Sequence, residues 1–177
     1  MSIIIDGTGT ISGVSATGLT TAQTVTQSAI ATGVAGTGPA FSAYAANTQT
    51  ISTGTWTKVV LNTKEFDTNN NFDSTTNYRF TPTVVGYYQV NGNASIFPAT
   101  SVGFSVASIY KNGNEFKRGS VGYMNTFADG NAVSALIYFN GTTDYVELYT
   151  IHNYGSSQVL NYGQAFCYLQ ASMVRAA

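Results

Sequence analysis

The most constraining feature of the sequence is a strict alternation of side-chain types over residues 87–97. One face carries Tyr88, Val90, Gly92, Ala94 and Ile96, and the other carries Tyr87, Gln89, Asn91, Asn93 and Ser95. A period of two with aromatic and β-branched members is typical of a half-buried β-strand. The chain is therefore expected to bury one face of a sheet against a core.

Further strands are predicted along most of the chain beyond residue 40. They cover about residues 41–46, 56–62, 77–81, 103–111, 114–121, 131–140, 144–151 and 162–173. No segment has the apolar spacing of 3.6 residues that indicates an amphipathic helix. Many short strands separated by Gly and Asn turns predict an all-β fold, an antiparallel sandwich.

One segment carries a family resemblance. Residues 76–90 read TNYRFTPTVVGYYQV, in which Phe80 precedes Thr81-Pro82 and Gly86 opens a Tyr-Tyr strand. This pattern resembles the globular head of complement C1q and its relatives, where Phe-Thr-x-Pro or a close variant leads to Gly-x-Tyr. Ala40-Phe41-Ser42-Ala43 is similar to the family's opening strand, Lys111-Asn112-Gly113 to its central turn, and residues 136–148 to its late hairpin. The resemblance covers about residues 40–177 and implies a C1q/TNF-like jelly roll that forms a compact homotrimer.

The sequence departs from the family pattern at two places. Thr142-Thr143 separate Gly141 from Asp144, where relatives have Gly-Asp, so a longer turn is predicted there. Cys167 stands where the family's closing strand has a glycine. It is the only cysteine, and its setting between two aromatic residues favours a small buried side chain.

The predicted strand at residues 132–139 is apolar on both faces, with Ser134 as its only polar side chain. A sandwich strand meets its own core on one side, so the second apolar face predicts contact with another subunit. The alternative is a strand covered by a loop. The resemblance to trimeric heads favours a threefold interface, whose candidate residues are Leu136, Ile137, Tyr138 and Phe139.

The first forty residues differ in composition from the rest. All 23 aromatic residues lie between Phe41 and Tyr168, which predicts a stalk or virion-attachment segment at residues 1–39 and a jelly-roll head at residues 40–177. The segment resembles the Gly/Thr/Ser-rich connectors of bacteriophage tail proteins, which implies contact with other virion proteins. Spore-surface proteins with a collagen-like stalk and a C1q-like head are the competing family, but the Gly33, Gly36 and Gly38 spacing does not continue as collagen requires.

The charge pattern argues against several partners. Charged residues make up 8% of the chain and the formal net charge is −1. Phosphate binding needs clustered positive charge, so no nucleic-acid partner is expected. No run of about 18 apolar residues exists, so no membrane insertion is expected. Low charge with abundant Gly and Thr suits an extracellular or particle-borne protein. Together with the resemblance to phage tail connectors, this predicts a virion location, with a bacterial spore or cell surface as the alternative.

Residues suited to catalysis are scarce. His152 is the only histidine, and Asp144 and Glu147 have an odd spacing that places them on opposite faces of a strand. The chain is therefore predicted not to be an enzyme, and no cofactor is expected apart from calcium. Glu65, Asp67 and Asp73 lie in an Asn-rich segment that supplies the oxygen ligands calcium prefers. Some C1q-like heads bind calcium, although Asp and Asn are also ordinary turn formers.

Successive antiparallel strands reverse direction, so the connections near residues 98–102, 122–130 and 152–161 are expected at one end of the sandwich. If the closing strand ends beside the opening one, as in the family, these loops form the tip distal to the stalk. The candidate ligand-binding residues there are Tyr123, Phe127, Asp129, His152, Tyr154 and Gln158. Aromatic and amide side chains of this kind suit stacking on sugars or contact with a protein surface.

These observations leave two main hypotheses. The first is a phage tail-fibre or receptor-binding protein whose trimeric head binds a bacterial surface glycan or protein. The second is a capsid or tail decoration protein, in which the head only trimerises and caps a fibre. A glycan-cleaving enzyme is disfavoured because no paired carboxylates occur at a convincing spacing.

Overall fold

The computed structural model describes residues 38–97, 102–124 and 129–177, together with the backbone of two short strands near the amino terminus. Contacts between Cα atoms divide the chain into residues 1–31 and residues 32–177. In the first unit, β1 (Ile4–Ile5) pairs antiparallel with β2 (Ile11–Ser12). The predicted boundary between residues 39 and 40 stays a prediction.

The described strands of the second unit are β3 (Ala40–Tyr44), β4 (Gln49–Ile51), β5 (Thr57–Lys58), β6 (Thr63–Asp67), β7 (Phe72–Asp73), β8 (Arg79–Phe80), β9 (Gly86–Ile96), β10 (Gly103–Lys111), β11 (Asn114–Met124), β12 (Asp129–Phe139), β13 (Val146–His152), β14 (Gln158–Leu160) and β15 (Tyr168–Ala176).

Within the described residues these strands form two sheets whose pairings are antiparallel. Sheet I has the order β11-β10-β13-β8-β7, with β5 paired to β13. Sheet II has the order β4-β14-β9-β15-β3-β6, with β12 paired to β9. The inner faces of both sheets contribute to one hydrophobic core. The predicted all-β antiparallel sandwich is thus confirmed, and the described residues include no helix that could span a membrane.

An aromatic cluster occupies part of this core. The ring of Phe41 stacks on those of Phe72 and Phe80, with centroids 4.8 and 4.3 Å apart. The ring of Phe139 meets Phe80 and Tyr88 edge-on, at 6.0 and 5.2 Å. Such pairs add to the free energy gained from burial alone. Phe80 of the Phe-Thr-Pro motif, on sheet I, and Tyr88 of the Gly-Tyr-Tyr motif, on sheet II, therefore help hold the two sheets together.

The remaining motif residues shape the entry into β9. The Tyr88 hydroxyl donates a hydrogen bond to the Val84 carbonyl, at 2.8 Å, which satisfies the one polar atom of a buried ring. Gly86 pairs with the end of β15, and a Cβ there would overlap the carbonyl oxygen of Arg175. A larger residue at position 86 would therefore push the closing strand away.

Two predicted turns are present. Asn112 and Gly113 join β10 to β11 with φ angles of 52° and 80°, which suits a tight hairpin with both central residues in the left-handed region. Between β12 and β13, the Asn140 side-chain oxygen accepts hydrogen bonds from the backbone N–H groups of Thr142, Thr143 and Asp144. The connection spans residues 140–145, and that it is longer than in relatives stays a prediction.

Strand register fixes which connections share an end. Met124 lies opposite Gly103, Ile96 opposite Asp129, and His152 opposite Ser105, so β9, β11 and β13 end together; we call this the distal end. At the other end, Ser172 of β15 lies opposite Ala40, so β3 begins and β15 ends near the short turns.

The strand predictions were wrong in several places. The expected strand at 56–62 is reduced to β5, although the Val59 N–H still bonds to the Leu148 carbonyl at 2.9 Å. The expected strand at 162–173 begins later, because residues 161–167 lie outside the sheet and β15 covers Tyr168–Ala176. The Asn-rich segment read as one loop contains β6, whose five residues alternate too little in polarity to be recognised from the sequence.

Candidate functional site

The distal end exposes a small group of apolar side chains. Tyr123, near the end of β11, is 74% exposed, and its ring meets Phe104 edge-on at 6.2 Å. Val102 is 80% exposed and Phe97 is 41% exposed. The predicted residue Tyr123 is therefore available to a ligand. Val102 and Phe97 were not predicted, because a single apolar residue beside a strand end carries no recognisable pattern.

Two of the predicted ligand-binding residues, His152 and Tyr154, belong to the core. His152 is fully buried and Tyr154 is 2% exposed. The backbone N–H of Tyr154 donates to Nδ1 of His152, at 3.3 Å, and Nε2 lies 2.9 Å from the Ile51 carbonyl. Since Nδ1 accepts, Nε2 carries the proton and donates to Ile51. The prediction that these two rings contact a ligand was wrong, because both close the end of the core.

The other predicted residues of the distal end divide as follows. Gln158 lies on β14, is partly exposed, and donates to the carbonyl and hydroxyl oxygens of Ser156 at 3.3 and 3.2 Å. Asp129 begins β12 and is described by its backbone only. Phe127 lies outside the described residues. Of the six candidates, Tyr123 and Gln158 therefore have described side chains that reach the surface.

The outer face of sheet II carries an exposed apolar patch, which we call the sheet II patch. It consists of Tyr87, Leu136, Tyr138 and Val174, whose side chains are between 39% and 57% exposed. The rings of Tyr87 and Tyr138 lie 5.5 Å apart across β9 and β12. A groove of about 490 Å³ separates Leu136 from the chain end at Arg175–Ala177. Exposed apolar surface of this kind typically marks a contact with another protein.

A polar network adjoins the sheet II patch. The Gln89 amide donates to Ser134 Oγ at 2.8 Å and to the Asn91 side-chain oxygen at 3.2 Å. The Ser134 hydroxyl donates to the same Asn91 oxygen at 2.8 Å. These three side chains are therefore held in one arrangement across β9 and β12 before any partner binds.

The alternation of β12 corrects the predicted interface. Ile137 is 1% exposed and Phe139 is fully buried, so both lie in the core of the same chain. Leu136 and Tyr138 point to the opposite, outer face. The prediction that Ile137 and Phe139 form the subunit interface was therefore wrong, because a strand side chain reaches one face only. The outward members, Leu136 and Tyr138, remain candidates.

The three predicted calcium ligands do not come together. Glu65 accepts a hydrogen bond from Ser42 at 2.5 Å, while Asp67 accepts from the backbone N–H groups of Asn71 and Phe72. Asp73 caps the turn that follows it. Among the described residues, no group of three or more His, Cys, Asp or Glu side chains could hold a metal ion. The structure thus does not assemble a site from these carboxylates, and calcium binding stays a prediction from sequence alone.

A polar groove that the sequence analysis missed lies beside Asp73. It has a volume of about 500 Å³ and is lined by Lys64 and by residues 70–75, 77, 79, 81 and 83. We call it the Arg79 groove after its arginine. Its walls come from three strands, β6, β7 and β8, and from the segments around them, so no contiguous motif could have revealed it.

Similarity to solved structures confirms the jelly-roll fold. The globular domain of zebrafish complement 1qA matches with a TM-score of 0.59 and 16% identity over 79% of this chain and all of that domain. Murine APRIL matches with a TM-score of 0.57 and 10% identity, over 77% of this chain and 98% of its own. The PRD1 vertex protein P5 matches with a TM-score of 0.54 and 16% identity, over 77% of this chain and 97% of its own. No protein-family model and no curated protein sequence matches the chain.

Proposed function

We propose that the chain is a non-enzymatic phage virion protein of the tail-fibre or receptor-binding type. Its head assembles as a homotrimer and binds a bacterial surface molecule, a glycan or a protein, through the distal end. Residues 1–39 contact other virion proteins. The resemblance of those residues to phage tail connectors and the similarity of the head to a vertex protein support a virion location.

The proposed homotrimer rests mainly on the sheet II patch. Tyr87, Leu136 and Tyr138 expose apolar side chains beside a hydrogen-bonded polar network on the outer face of a jelly roll. The occupant is a second copy of the chain, because β12 belongs to the part of the sequence that resembles trimeric heads. Apolar contact would hold the copies together, and the fixed Gln89–Ser134–Asn91 network would set their register.

Binding rather than catalysis is supported by the state of the histidine. His152 is fully buried, and both ring nitrogens are engaged within the chain. A general base must reach the proton it abstracts, and this imidazole has no path to a substrate. Tyr123, by contrast, offers an exposed ring of the kind that stacks on sugars or packs against proteins.

A structural role as a decoration or fibre-capping protein is the second candidate. The burial of His152 and Tyr154 favours it, since it removes two aromatic rings from the surface expected to bind a receptor. In that case the head would trimerise without recognising a cell.

Two measurements test the proposal and separate the candidates. Light scattering on the purified chain should give a mass about three times 18.7 kDa. Fluorescently labelled trimer should then bind cells of particular strains in a panel of bacteria, and unlabelled trimer should compete with it. A monomer would overturn the assembly, and a trimer that binds no strain would favour decoration over receptor binding.

A further inference from the structure

The Arg79 groove is bordered mainly by amide and hydroxyl side chains. Asn70, Asn71, Asn77, Thr81 and Thr83 all contribute to its walls. Such groups can donate and accept hydrogen bonds, as sugar hydroxyls do, and a volume of about 500 Å³ falls in the range of small-molecule sites. The groove is thus suited to a ligand rich in hydroxyl groups.

Its arginine has no acidic partner among the described side chains. The guanidinium carbon of Arg79 lies 4.3 Å from the ring centroid of Tyr145. In contrast, Lys58, Lys64, Lys111 and Arg118 each form an ion pair with a carboxylate. A guanidinium that rests on an aromatic face keeps N–H donors at its edge, where a carboxylate can bind through two hydrogen bonds. Arg79 is therefore prepared to receive an anion from outside the chain.

The neighbouring carboxylate does not take that role. Asp73 lies opposite Arg79 in the backbone register of β7 and β8. Its carboxylate oxygens, however, accept hydrogen bonds from Thr75, Thr76 and Asn77 of the following turn. Backbone hydrogen bonds from Thr76 and Thr75 hold the pKa of Asp73 well below its usual range. The carboxylate is therefore committed to its own turn and builds one wall of the groove.

The backbone around the groove is also unusual. Asn70 and Tyr78 have φ angles of 52° and 51°, in the left-handed region that residues with a side chain seldom adopt. Asparagine tolerates this conformation, but for a bulky residue such as Tyr78 it is uncommon. Tyr78 lies between Asn77, the last residue bonded to Asp73, and Arg79, the first residue of β8.

From this arrangement we propose that the Arg79 groove binds an acidic sugar, a pyranose that carries a carboxylate. The Arg79 guanidinium binds the carboxylate, and the amides and hydroxyls of Asn77, Thr81 and Thr83 bind the ring hydroxyls. The site shares no lining residue with the sheet II patch or the exposed distal side chains. The inference goes beyond the proposed function, because it depends neither on the trimer nor on binding through the distal end.

Calorimetric titration of the full chain with a galacturonic acid tetrasaccharide tests this site. The fully methyl-esterified tetrasaccharide is the matched ligand, since it keeps the ring and loses the negative charge. We expect the acid to bind at submillimolar to millimolar concentration and the ester to bind about 10- to 100-fold more weakly, the range for a charge-assisted hydrogen-bonded pair.

Variants locate the binding. Arg79→Gln should weaken binding of the acid by about the same factor, and Arg79→Lys, which keeps the charge without the fork of donors, should lie between parent and Arg79→Gln. Arg118→Gln removes an exposed arginine from the same sheet and should bind as the parent does. Thermal melts establish that each variant is folded. Equal affinity for acid and ester, unchanged binding by folded Arg79→Gln, or no binding of either ligand would overturn the proposal.

Discussion

The imidazole of His152 stacks on the phenol ring of Tyr154, with ring centroids 5.2 Å apart and planes 19° from parallel. Both rings are buried, and Gly103 packs against Tyr154 so closely that a Cβ at position 103 would overlap its ring. The pair closes the distal end of the core immediately beneath the exposed side chains. Replacing either ring is therefore expected to lower the stability of the fold, and not to remove a contact with a ligand.

Tyr154→Ala should lower the free energy of unfolding by about 3 to 5 kcal/mol, because it leaves a cavity where a buried ring had packed. Urea denaturation followed by fluorescence measures this change. Tyr123→Ala is the control, since that ring is mostly exposed and its removal should change stability by no more than about 0.5 kcal/mol. Equal stability of the two variants would contradict the burial of Tyr154.

The two faces of β12 predict opposite results for neighbouring residues. Leu136→Asp places a carboxylate on the sheet II patch, so it should yield a folded monomer. Ile137→Asp places the same group in the core, where an unpaired charge cannot be accommodated, and should prevent folding. Light scattering and circular dichroism distinguish the two outcomes. A folded Leu136→Asp trimer would exclude this face as the interface.

How much of the fold the sequence predicts depends on the length of each pattern. The alternation in β9 was long enough to predict a half-buried strand. The Phe80-Thr81-Pro82 motif implied the jelly-roll sandwich through its resemblance to the C1q family. The short strands β4, β7 and β14 were missed, because two or three residues do not establish a period. Both β4 and β7 pair with strands as short as themselves, β14 and β8.

The candidate site was harder to predict than the fold. The order of the connections correctly placed residues 123 and 154 at one end, but it did not reveal that Tyr154 turns inward to fill the core. The same applies to Ile137 and Phe139, where the apolar character of both faces hid which one was internal. The Asp73 turn is held by local hydrogen bonds. The Arg79 groove was missed because it forms only where this turn, β8 and the neighbouring segments come together in the fold.

The thiol of Cys167 should be unreactive in the folded protein. It is fully buried, and desolvation raises its pKa from 9.0 to about 12. Labelling with a thiol reagent at pH 8 should be slow in buffer and fast in urea, where the chain is unfolded. Rapid labelling of the native protein would contradict the burial.

The same pKa gives a pH dependence of stability. The thiol of the unfolded chain loses its proton at lower pH than the thiol of the folded chain. The buried thiol therefore contributes fully to the free energy of unfolding below about pH 9, and this contribution is lost as the pH rises toward 12. Cys167→Ala should therefore show a shallower loss of stability than the parent between these values. The comparison needs both proteins at each pH, because burial also raises the pKa of Tyr88 to about 12.

Asp73 should make the stability of the fold decrease as the pH falls, whereas Cys167 makes it decrease as the pH rises. Its folded pKa lies below the usual 3.8, so the unfolded carboxyl takes up a proton first as the pH falls. Its contribution is present above pH 3.8 and disappears as the medium becomes more acid. Asp73→Asn keeps an acceptor for the turn but cannot titrate, and its melting temperature should fall less between pH 5 and pH 2 than that of the parent. Parallel curves for the two proteins would remove Asp73 from the acid response.

Two exposed aromatic residues of β11 test where the head contacts a cell. Tyr123 lies at the distal end, whereas Phe116, 43% exposed, lies next to the short turn at the other end. If the distal end binds the receptor, Tyr123→Ala should weaken cell binding by about 1 to 3 kcal/mol, the range of an interface residue that matters. Phe116→Ala should bind as the parent does, and both should keep the mass and melting temperature of the parent, because neither ring fills the core. Loss of cell binding in Phe116→Ala alone would place the receptor at the short-turn end, whereas normal binding by both variants would exclude these two rings.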